Sequence, residues 1–370
     1  MTFEHWKSDF LRRAVIGGIS SEFVEQISPF LKFNLNSSQA DMAQPETHKT
    51  LQQYVEVAVS ELRIAQGQAA LLKQKKVFDK IESKYKVDRH ILVAIWGLET
   101  NYGSICGDVP VLSALSTLAA QGRRQPMFEE QLLATFEIIS RGFKLPNQIL
   151  GSWAGAMGHT QFMPKSYIDF AVSASSGEPD IWTDDPTDAL ASAAHFLICH
   201  GWKPTTPWGQ VAYLSKDADL LFLRKHQPQQ ISNWESPGIL STEFKQANYI
   251  AQLILPGGAS SLGFLVSENF KALLSYNNAP AYAIAVGHLA DRLQGAPPLR
   301  FPPDGDTHGL SPSEIKFLQS QLTKLGFDTI GADGFIGPNT EIAIEAFQVT
   351  YDLPVDGFAG ISLLKKLQSH

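Results

Sequence analysis

Hydrophobic residues recur at helical spacing through most of the first 200 residues of the chain. Two such sets lie near the start, namely Phe3, Trp6, Phe10 and Leu11, followed by Phe23, Ile27, Phe30 and Leu31. Side chains three and four positions apart share one face of a helix, so this spacing predicts amphipathic helices. Residues 51–85 continue the pattern and predict one or two long helices. Residues 34–44 are polar and precede Pro45, which favours a loop.

Later segments predict both helices and a small sheet. Helical patterns cover residues 111–120, 128–142, 187–200 and 279–293. Between residues 204 and 275 the chain changes to short apolar runs with polar breaks, at 211–214, 249–255 and 262–266, which is typical of strands. We therefore expect a mainly α protein with a small inserted β region.

Residues 295–310 contain four prolines and several glycines, which predicts a stiff linker and a domain boundary. Beyond the linker, the segment Asp333–Gly337 and the segment Asp356–Gly360 repeat an Asp-Gly-Phe-x-Gly pattern, and an amphipathic helix follows each. Together with a helix over 312–324, the pattern predicts a three-helix module. The expected domains are a catalytic region at 1–294, the linker, and a C-terminal module at 311–370.

The segment from Ile91 to Gly103 is an almost unbroken apolar run that contains one carboxylate, Glu99. Asp88 precedes the run at a position suited to capping a helix N-terminus. Apolar residues on every face predict a helix buried all round, with Glu99 near its C-terminal end. Desolvation raises the pKa of a carboxyl group and makes it suitable as a general acid. These residues alone leave open whether Glu99 is catalytic or a paired structural carboxylate.

The segment 151–164 is rich in glycine and contains Trp153, Met157 and Met163. It fits neither a regular helix nor a strand, and glycine allows a ligand to approach the backbone closely. The segment lacks the spacing of a phosphate-binding loop. It is therefore either a packed corner or the wall of a groove, and Trp153 is expected to be a core residue.

Composition narrows the function classes. The chain has 370 residues and a net charge of -7, so it has no overall basic charge to attract nucleic acid. No apolar run is long enough to span a bilayer, and no secretory signal is visible at the N-terminus. Taken literally, this indicates the cytoplasm, but it also fits a processed chain. The two cysteines are too few for a disulfide framework; Cys199 lies in an apolar run that favours a buried thiol, and Cys106 lacks an identifiable histidine partner.

A family resemblance is carried by several ordered blocks: residues 97–103 (GLETNYG), 122–124 (GRR), 152–158 (SWAGAMG), 161–164 (QFMP) and 276–277 (YN). In order and approximate spacing they resemble the lytic murein transglycosylases of the B type. The tail from 311 to 367 is similar to a small peptidoglycan-binding module. The resemblance implies a lysozyme-like helical domain that cleaves the MurNAc–GlcNAc β-1,4 bond without water and leaves 1,6-anhydro ends.

The same resemblance implies roles for individual residues. Glu99 matches the family's catalytic glutamate, acting as acid and then as base. The implied substrate-binding residues are Tyr54, Arg123, Arg124, Ser152, Gln161, Tyr276 and Asn277. The motif blocks contain no second carboxylate, although Asp184, Asp185 or Asp188 could approach in space, and ordinary glycosidases use two. A hydrolytic muramidase and a non-catalytic wall-binding protein are therefore the alternatives.

The chain departs from the family pattern after residue 164. Several relatives have an aspartate-rich calcium loop there, but residues 173–180 contain only Glu178 and Asp180 as acidic residues, and Pro179 lies between them. We therefore expect no tight calcium site, no other metal and no cofactor. The expected binding partners are the glycan strands and stem peptides of peptidoglycan, with cell-wall synthesis or hydrolysis proteins as further candidates. We expect a monomer, and a periplasmic location that is inferred from the substrate alone.

Overall fold

The computed structural model describes residues 2–43, 49–122, 124–215, 218–225, 227–234, 238–240, 248–303, 305–306 and 308–369. The chain forms two compact units. The first unit contains residues 1–44 and 61–199, and the second contains residues 45–60 and 200–370. None of the helices in the described ranges is both long enough and apolar enough to cross a membrane.

Helices dominate both units, in agreement with the mainly α pattern of the sequence. In chain order they are α1 (Phe3–Ile16), α2 (Ser21–Ile27), α3 (Leu35–Met42), α4 (Leu51–Ala58), α5 (Glu61–Lys73), α6 (Lys75–Tyr85), α7 (Arg89–Thr100), α8 (Val111–Ala120), α9 (Gln125–Ser140), α10 (Pro164–Phe170), α11 (Thr187–Cys199), α12 (Leu220–Lys225), α13 (Glu268–Tyr276), α14 (Pro280–Leu293), α15 (Pro312–Lys324), α16 (Pro338–Thr350) and α17 (Ile361–Gln368). The strands are β1 (Val109–Pro110), β2 (Leu150–Gly151), β3 (Gly209–Leu214), β4 (Gln229–Gln230), β5 (Ile239–Leu240), β6 (Ile250–Ile254) and β7 (Gly263–Val266).

The first unit is built around α8, which is buried along nearly its whole length. Helices α1, α3 and α9 pack against it. On α1, Trp6 and Phe10 are buried and their rings stack with centroids 5.3 Å apart, as the helical spacing predicted. Trp6 Nε1 also donates a hydrogen bond of 2.9 Å to the buried Glu129 of α9, which fixes α1 to α9.

Two predictions for this region were wrong. Residues 34–44 were predicted to form a loop, but residues 35–42 form α3, because the Asn34 side chain accepts a hydrogen bond from Ser37 N and caps the helix. The buried face of α3 is polar, so hydrophobic spacing does not reveal it. Residues 51–85 form three helices instead of one or two, with breaks at residues 59–60 and 74.

The second unit contains the inserted sheet, whose three predicted apolar runs correspond to β3, β6 and β7. The sheet is antiparallel, with strand order β4-β6-β7-β3-β5. Strand β7 lies in the middle of the sheet, pairs with β6 and β3, and is buried along its length. In the same unit, α4 and α13 both pack against α14.

The C-terminal module lies in this second unit and consists of α15, α16 and α17, as predicted. Its core is apolar, and Leu318, Leu322, Ile344 and Phe347 are completely buried. The Phe347 ring packs against the ring of Tyr351 with centroids 4.4 Å apart. The module therefore has a hydrophobic core of its own.

Candidate active site

Helix α7 delivers Glu99 to its last turn. The Asp88 side chain accepts a hydrogen bond of 2.7 Å from His90 N and caps the helix, as the sequence predicted. Residues 91–97 are all buried, whereas the side chain of Glu99 is only partly buried. The helix is therefore a rigid support that brings one carboxylate from the core to the surface of the first unit.

The chain leaves α7 through backbone conformations that are unusual for residues other than glycine. Asn101, Tyr102 and Gly103 have φ angles of 49°, 59° and 84°. The left-handed region costs a residue with a Cβ atom roughly 1 kcal/mol or more, so surrounding contacts must hold it in place. The Tyr102 hydroxyl donates a hydrogen bond of 2.7 Å to the carbonyl of Arg63, and its ring lies so close to Gly97 that an added Cβ would be 2.6 Å away.

A buried histidine supports the same end of the helix. Trp96 Nε1 donates to His159 Nδ1 at 3.2 Å, and His159 Nε2 lies 2.9 Å from the Thr183 carbonyl. Because an indole N–H can only donate, His159 must be neutral with its proton on Nε2. Burial lowers the pKa of His159, and the Thr183 carbonyl with the charges of Asp184 and Asp185 opposes this only in part.

Two further contacts join the helix end to the glycine-rich segment that contains His159. The Thr100 hydroxyl lies 2.7 Å from the His159 carbonyl and accepts a hydrogen bond of 3.0 Å from Gly103 N. A Cβ atom at Gly103 would lie 2.5 Å from the His159 ring. Only glycine fits at this position, and the close packing fixes the two segments relative to each other.

The segment 151–163 folds into a compact loop. Met157 exchanges backbone hydrogen bonds with Phe162, at 2.8 and 2.9 Å. Gly155 and Gly158 have positive φ angles, and a Cβ atom at Gly158 would lie 2.3 Å from the Ile181 carbonyl oxygen. At Gly155 a Cβ atom would lie 2.5 Å from the Leu115 side chain, so close packing requires both glycines and the loop is a packed corner.

The loop presents Ser152 and Gln161 with part of their hydrogen-bonding capacity unused. The Ser152 hydroxyl accepts a hydrogen bond of 3.1 Å from Ala156 N. Gln161 has a φ angle of 51°, and its Nε2 donates to the carbonyls of Gly158 and Cys106 at 3.0 and 3.1 Å. No described residue donates to Gln161 Oε1, so this atom and the Ser152 hydroxyl hydrogen remain able to bind a ligand.

Three aspartates were candidates for a second carboxylate, and two of them have structural partners. Asp188 accepts hydrogen bonds of 2.9 Å from Ala174 N and Asp180 N. Asp185 accepts hydrogen bonds from the backbone and side chain of Thr187 at the start of α11. Asp184 is exposed, accepts no hydrogen bond from the described residues, and its charge acts on both Cys106 and His159. Of the three, Asp184 is therefore the one whose carboxylate is not held by a hydrogen bond within the described residues.

The remaining predicted site residues lie in different surroundings. Arg123 lies outside the described residues. Arg124 is exposed, and its guanidinium lies 3.5 Å from Asp41 and 5.2 Å from the centroid of the Phe128 ring. Neither of these contacts involves Ser152 or Gln161. Tyr54 on α4, Tyr276 at the end of α13 and Asn277 after it belong to the second unit. Tyr54 and Tyr276 are partly buried, and Asn277 is exposed.

Two burial predictions were wrong. Trp153 was expected in the core but is partly exposed, because it lies in the tight turn of residues 152–156. Cys199 was expected to be buried but is exposed, because it is the last residue of α11. Cys106 is half-buried, and burial together with the charge of Asp184 raises the pKa of its thiol. A neutral thiol is a poor nucleophile.

Of the two acidic residues in the segment 173–180, Glu178 is exposed and Asp180 is engaged in protein contacts. Asp180 forms an ion pair of 2.7 Å with Lys144 and accepts a hydrogen bond from Trp182 N. Within the described residues, no group of three histidine, cysteine or acidic side chains is placed to hold a metal ion.

Sequence reasoning missed Trp96, Thr100 and His159, which position the end of α7 and the loop. Trp96 and Thr100 flank Glu99 in the same helix, and His159 lies between the two quoted blocks of the glycine-rich segment. The available signal was the presence of polar side-chain atoms in stretches with mostly apolar neighbours, because buried polar groups require hydrogen-bond partners.

Comparison with known proteins identifies both parts of the chain. Residues 2–291 match the family described as Transglycosylase SLT domain, and residues 311–367 match the family described as Putative peptidoglycan binding domain. The membrane-bound lytic murein transglycosylase B of Escherichia coli (strain K12) is 32% identical over 227 residues, which cover 55% of this chain and 56% of that protein. The matched region therefore spans little more than half of that relative.

Solved structures of similar fold extend over the whole chain. SltB3 from Pseudomonas aeruginosa in complex with NAG-NAM-pentapeptide is 37% identical with a TM-score of 0.88, and the match covers 99% of this chain and 100% of that one. The same protein in complex with NAG-anhNAM-pentapeptide matches with a TM-score of 0.87, at 37% identity and full coverage of both chains. The soluble lytic transglycosylase SltB1 from Pseudomonas aeruginosa is 26% identical with a TM-score of 0.68, covering 78% of this chain and 99% of that one. The SLT-domain match over residues 2–291 shows that the chain belongs to the family of lytic transglycosylases.

Proposed function

We propose that this protein is a peptidoglycan lytic transglycosylase that cleaves the MurNAc–GlcNAc β-1,4 bond without water and leaves 1,6-anhydro-MurNAc ends. The observation that carries the proposal is Glu99, a single carboxylate presented by a buried helix whose end is fixed by the 151–163 loop. Structures of the relative SltB3 with NAG-NAM-pentapeptide and NAG-anhNAM-pentapeptide support this substrate and product.

In the proposed mechanism Glu99 acts twice. The neutral carboxylic acid protonates the glycosidic oxygen, because an alkoxide is a poor leaving group. The bond between the anomeric carbon and that oxygen breaks, and an oxocarbenium-like centre develops. The Glu99 carboxylate then removes the proton from the muramyl 6-hydroxyl, whose oxygen forms the new bond to the anomeric carbon. The proton taken up in the second step restores the acid, so the cycle needs neither water nor a second protein carboxylate.

The other predicted residues have binding roles in this proposal. Gln161 Oε1 and the Ser152 hydroxyl bind the sugars near the scissile bond, since both have unused hydrogen-bonding capacity. Tyr276 stabilises the oxocarbenium-like centre, and Asn277 and Tyr54 contribute to the groove. Arg123 and Arg124 bind stem-peptide carboxylates, and Arg124 must then exchange its contact of 3.5 Å with Asp41 for the substrate.

In the proposed domain organisation, catalysis and cell-wall binding belong to different parts of the chain. Residues 1–294 form the catalytic region, with an insertion at about 204–275. Residues 295–310 form the linker, and residues 311–370 bind the cell wall. We propose that the protein is a monomer and that it acts in the periplasm, where peptidoglycan lies. Its further partners would be proteins of cell-wall synthesis or hydrolysis.

Replacing Glu99 with glutamine tests the role of the carboxylate. Glutamine is close in size but cannot donate a proton as an acid, so release of soluble muropeptides from sacculi should fall by a factor of about 10² to 10⁴. The variant should still pellet with sacculi as the parent does. Muropeptide release at the parent rate would show that Glu99 is not the acid. A parent protein that pellets with sacculi but releases nothing would favour the alternative of a non-catalytic wall-binding protein.

End-group analysis of the products separates the proposal from the alternative of a hydrolytic muramidase. Mass spectrometry should find 1,6-anhydro muramyl ends, and reducing ends would refute the mechanism without water. Of the three candidate aspartates, Asp184 is the one that accepts no hydrogen bond from the described residues, so it is tested as a second carboxylate. The Asp184→Asn variant should keep its rate within a few-fold of the parent if Glu99 acts alone, whereas a loss as large as that of Glu99→Gln would support a pair of carboxylates.

A further inference from the structure

The inserted sheet leaves part of one strand edge unpaired. Strand β3 pairs with β7 over residues 209–212, but it pairs with β5 only at Tyr213 and Leu214. Within the described part of the chain, the edge of β3 on the β5 side is therefore uncovered at residues 209–212. An open strand edge presents backbone N–H and C=O groups that can pair with another chain.

The alternation of hydrogen bonds shows which backbone groups face the open edge. Ser267 N donates to the Trp208 carbonyl at 3.0 Å, and these two residues continue the register of β3 and β7 as a hydrogen-bonded pair. In antiparallel strands, every second residue bonds to one neighbour, and the residues between them face the other side. The N–H and C=O groups of Gly209 and Val211 therefore point away from β7. No described residue forms a hydrogen bond with these four groups.

The open edge lines a groove of about 710 Å³ in the second unit. Trp208 and Tyr213 line the groove on the β3 side. The segment 294–299, which follows α14, forms the opposite wall and includes Pro297 and Pro298. Proline has no N–H group to donate, so an extended ligand between the two walls would pair with β3.

Helix α14 holds both walls of the groove. Asp291 Oδ2 accepts a hydrogen bond of 3.0 Å from Trp208 Nε1, just before β3. His288 Nε2 accepts one of 3.4 Å from Leu299 N in the opposite wall. The Trp208 ring also lies so close to Gly287 that an added Cβ atom would be 2.2 Å away. The groove is therefore preformed, which lowers the entropy cost of binding.

We propose that this groove binds an extended segment of a partner protein, which adds a strand to the open edge of β3. The segment exchanges hydrogen bonds with the N–H and C=O groups of Gly209 and Val211. This protein-binding surface is additional to the proposed catalytic function and does not depend on it.

The chemistry of the groove selects the class of partner. Gly209 and Val211 lie about 7 Å apart along the strand, which matches the repeat of alternate residues in an extended polypeptide. Among the described residues that line the groove, Asp291 is the only one that is charged at pH 7, because burial lowers the pKa of His288 to about 4. A segment that carries lysine or arginine is therefore favoured by charge complementarity.

The recess of the edge argues against a second copy of the chain as the occupant. Gly209 and Val211 are half-buried, and the segment 294–299 lies across the groove from them. The same edge of a second copy would be recessed in the same way, so two such edges cannot meet. A single strand can enter, and the recess also protects the open edge from pairing between whole sheets.

The binding test is an NMR titration of the full chain with the peptide acetyl-Lys-Val-Thr-Val-Lys-amide. Valine and threonine favour an extended backbone, and the lysines match the charge of Asp291. The peptide should shift the amide signals of Gly209 and Val211 in a saturable way, and it should slow the exchange of the Val211 amide with solvent. The Ala212 amide faces β7 and should keep its exchange rate, so it is the internal control.

Two further peptides test the mode of binding. In one, the three central amide nitrogens are methylated, so the side chains remain but the strand-forming N–H groups are lost. Its affinity should fall by about tenfold or more, as expected for the loss of backbone hydrogen bonds. In the other, glutamate replaces both lysines, and its affinity should also be lower. Equal affinity of the methylated peptide would overturn strand addition, and equal affinity of the acidic peptide would overturn the choice of a cationic segment.

Variants of Val211 test the edge itself. Val211→Pro removes an N–H group that faces the groove without breaking a bond to β7, and proline is tolerated on open strand edges. This variant should melt near the temperature of the parent and bind the lysine peptide about fivefold more weakly. Val211→Thr keeps the N–H group and the branched shape, so it should bind as the parent does. Equal binding by the two variants would contradict the proposal, and if Val211→Pro does not fold, the methylated peptide decides.

Other occupants of the groove would give different results. Chitotetraose is titrated under the same conditions, and shifts of Gly209 and Val211 with this saccharide but not with the lysine peptide would overturn the proposal in favour of a glycan. Analytical ultracentrifugation tests for a second copy of the chain. A dimer of the parent that becomes a monomer in Val211→Pro would overturn the proposal in favour of self-association.

Discussion

At the scale of single residues, the position of Glu99 depends on the protonation state of His159. The neutral ring accepts a hydrogen bond from Trp96 through Nδ1, and a protonated ring could not accept it. Trp96 and Thr100 flank Glu99 on α7, and both contact His159. Protonation of one buried imidazole therefore loosens the support of the catalytic candidate.

Acid should destabilise the protein through this residue and through His288. Burial lowers the pKa of His159, and it lowers the pKa of His288 to about 4. A group with a lowered pKa in the folded state contributes stability that is present above its unfolded pKa of about 6.5 and is lost as the pH falls. The melting temperature should therefore fall as the pH is lowered from 7 to 5 at constant ionic strength.

A variant of His288 shows how much of the pH dependence comes from the second unit. From its two pKa values, His288 would contribute roughly 3 kcal/mol of the loss if the pH fell below both. In His288→Gln the amide oxygen can accept the hydrogen bond from Leu299 N that His288 Nε2 accepts at 3.4 Å, but the side chain does not titrate. Its melting curve should depend less on pH than that of the parent. A melting temperature that is constant from pH 7 to pH 5 in the parent would contradict this account.

Residue patterns located Glu99 but not the contacts that hold it. One carboxylate in a long apolar run is visible in a sequence, and the glycine-rich blocks are visible too. The left-handed backbone of Tyr102 and the partial exposure of Trp153 are not, because both depend on how the chain turns after a helix or within a loop. The error at Cys199 has the same origin, since the exposure of a residue at a helix end depends on where the helix stops.

At the scale of elements, hydrophobic spacing predicted most of the helices and three of the strands. It failed for α3, whose buried residues are Ser37, Ser38 and Asp41. A helix that buries polar groups against partners gives no apolar stripe. Its cap, Asn34, was present in the sequence, so a search for capping residues would have found the start of this helix.

The duplicated loops of the module provide a matched test of helix capping by a distant residue. Asp306 accepts hydrogen bonds from Ile361 N at 2.9 Å and from Ser362 Oγ at 3.2 Å, at the start of α17. In Gly360→Ala the new methyl group would lie 2.1 Å from this carboxylate and 2.8 Å from the Phe358 ring, so both must move and the module should lose about 1 kcal/mol of stability beyond the intrinsic effect of the substitution. Chemical denaturation monitored by circular dichroism would measure the loss.

The control is Gly337→Ala. Gly337 and Gly360 are the N-caps of α16 and α17, both with extended backbone, so the intrinsic effect of replacing glycine with alanine is shared. Only Gly360 has a neighbouring carboxylate that must move, because the space around Gly337 is open. Equal losses in the two variants would show that Asp306 does not stabilise α17.

At the scale of the whole molecule, the C-terminal module is more firmly attached than the linker sequence indicates. Proline and glycine in residues 295–310 predicted a stiff connection to a separate module. The structure adds two direct contacts, from Asp306 to the start of α17 and from Asp356 to Ala259 of the inserted region. These pairs are 55 and 97 residues apart in the chain, so no local pattern reveals them. The internal repeat is visible in the sequence, but the different use of its two copies is not.

Ending the chain at Pro303 separates wall binding from catalysis. This truncation removes Asp306 and the three helices of the C-terminal module, so pelleting with sacculi should weaken strongly. Cleavage of short soluble glycans should stay within a few-fold of the parent, because Glu99, the 151–163 loop and the proposed groove residues Tyr54, Tyr276 and Asn277 all precede the new chain end. The inserted region should also melt at a lower temperature, since Ala259 N loses its carboxylate partner.

Asp356→Asn is the control that keeps the module. It removes the anionic oxygen at Ala259 but keeps all three helices of the module, so it should lower the melting temperature while sacculus binding is retained. A large loss of activity by the truncated chain on soluble glycans would mean that the module shapes the catalytic region as well as binding the wall.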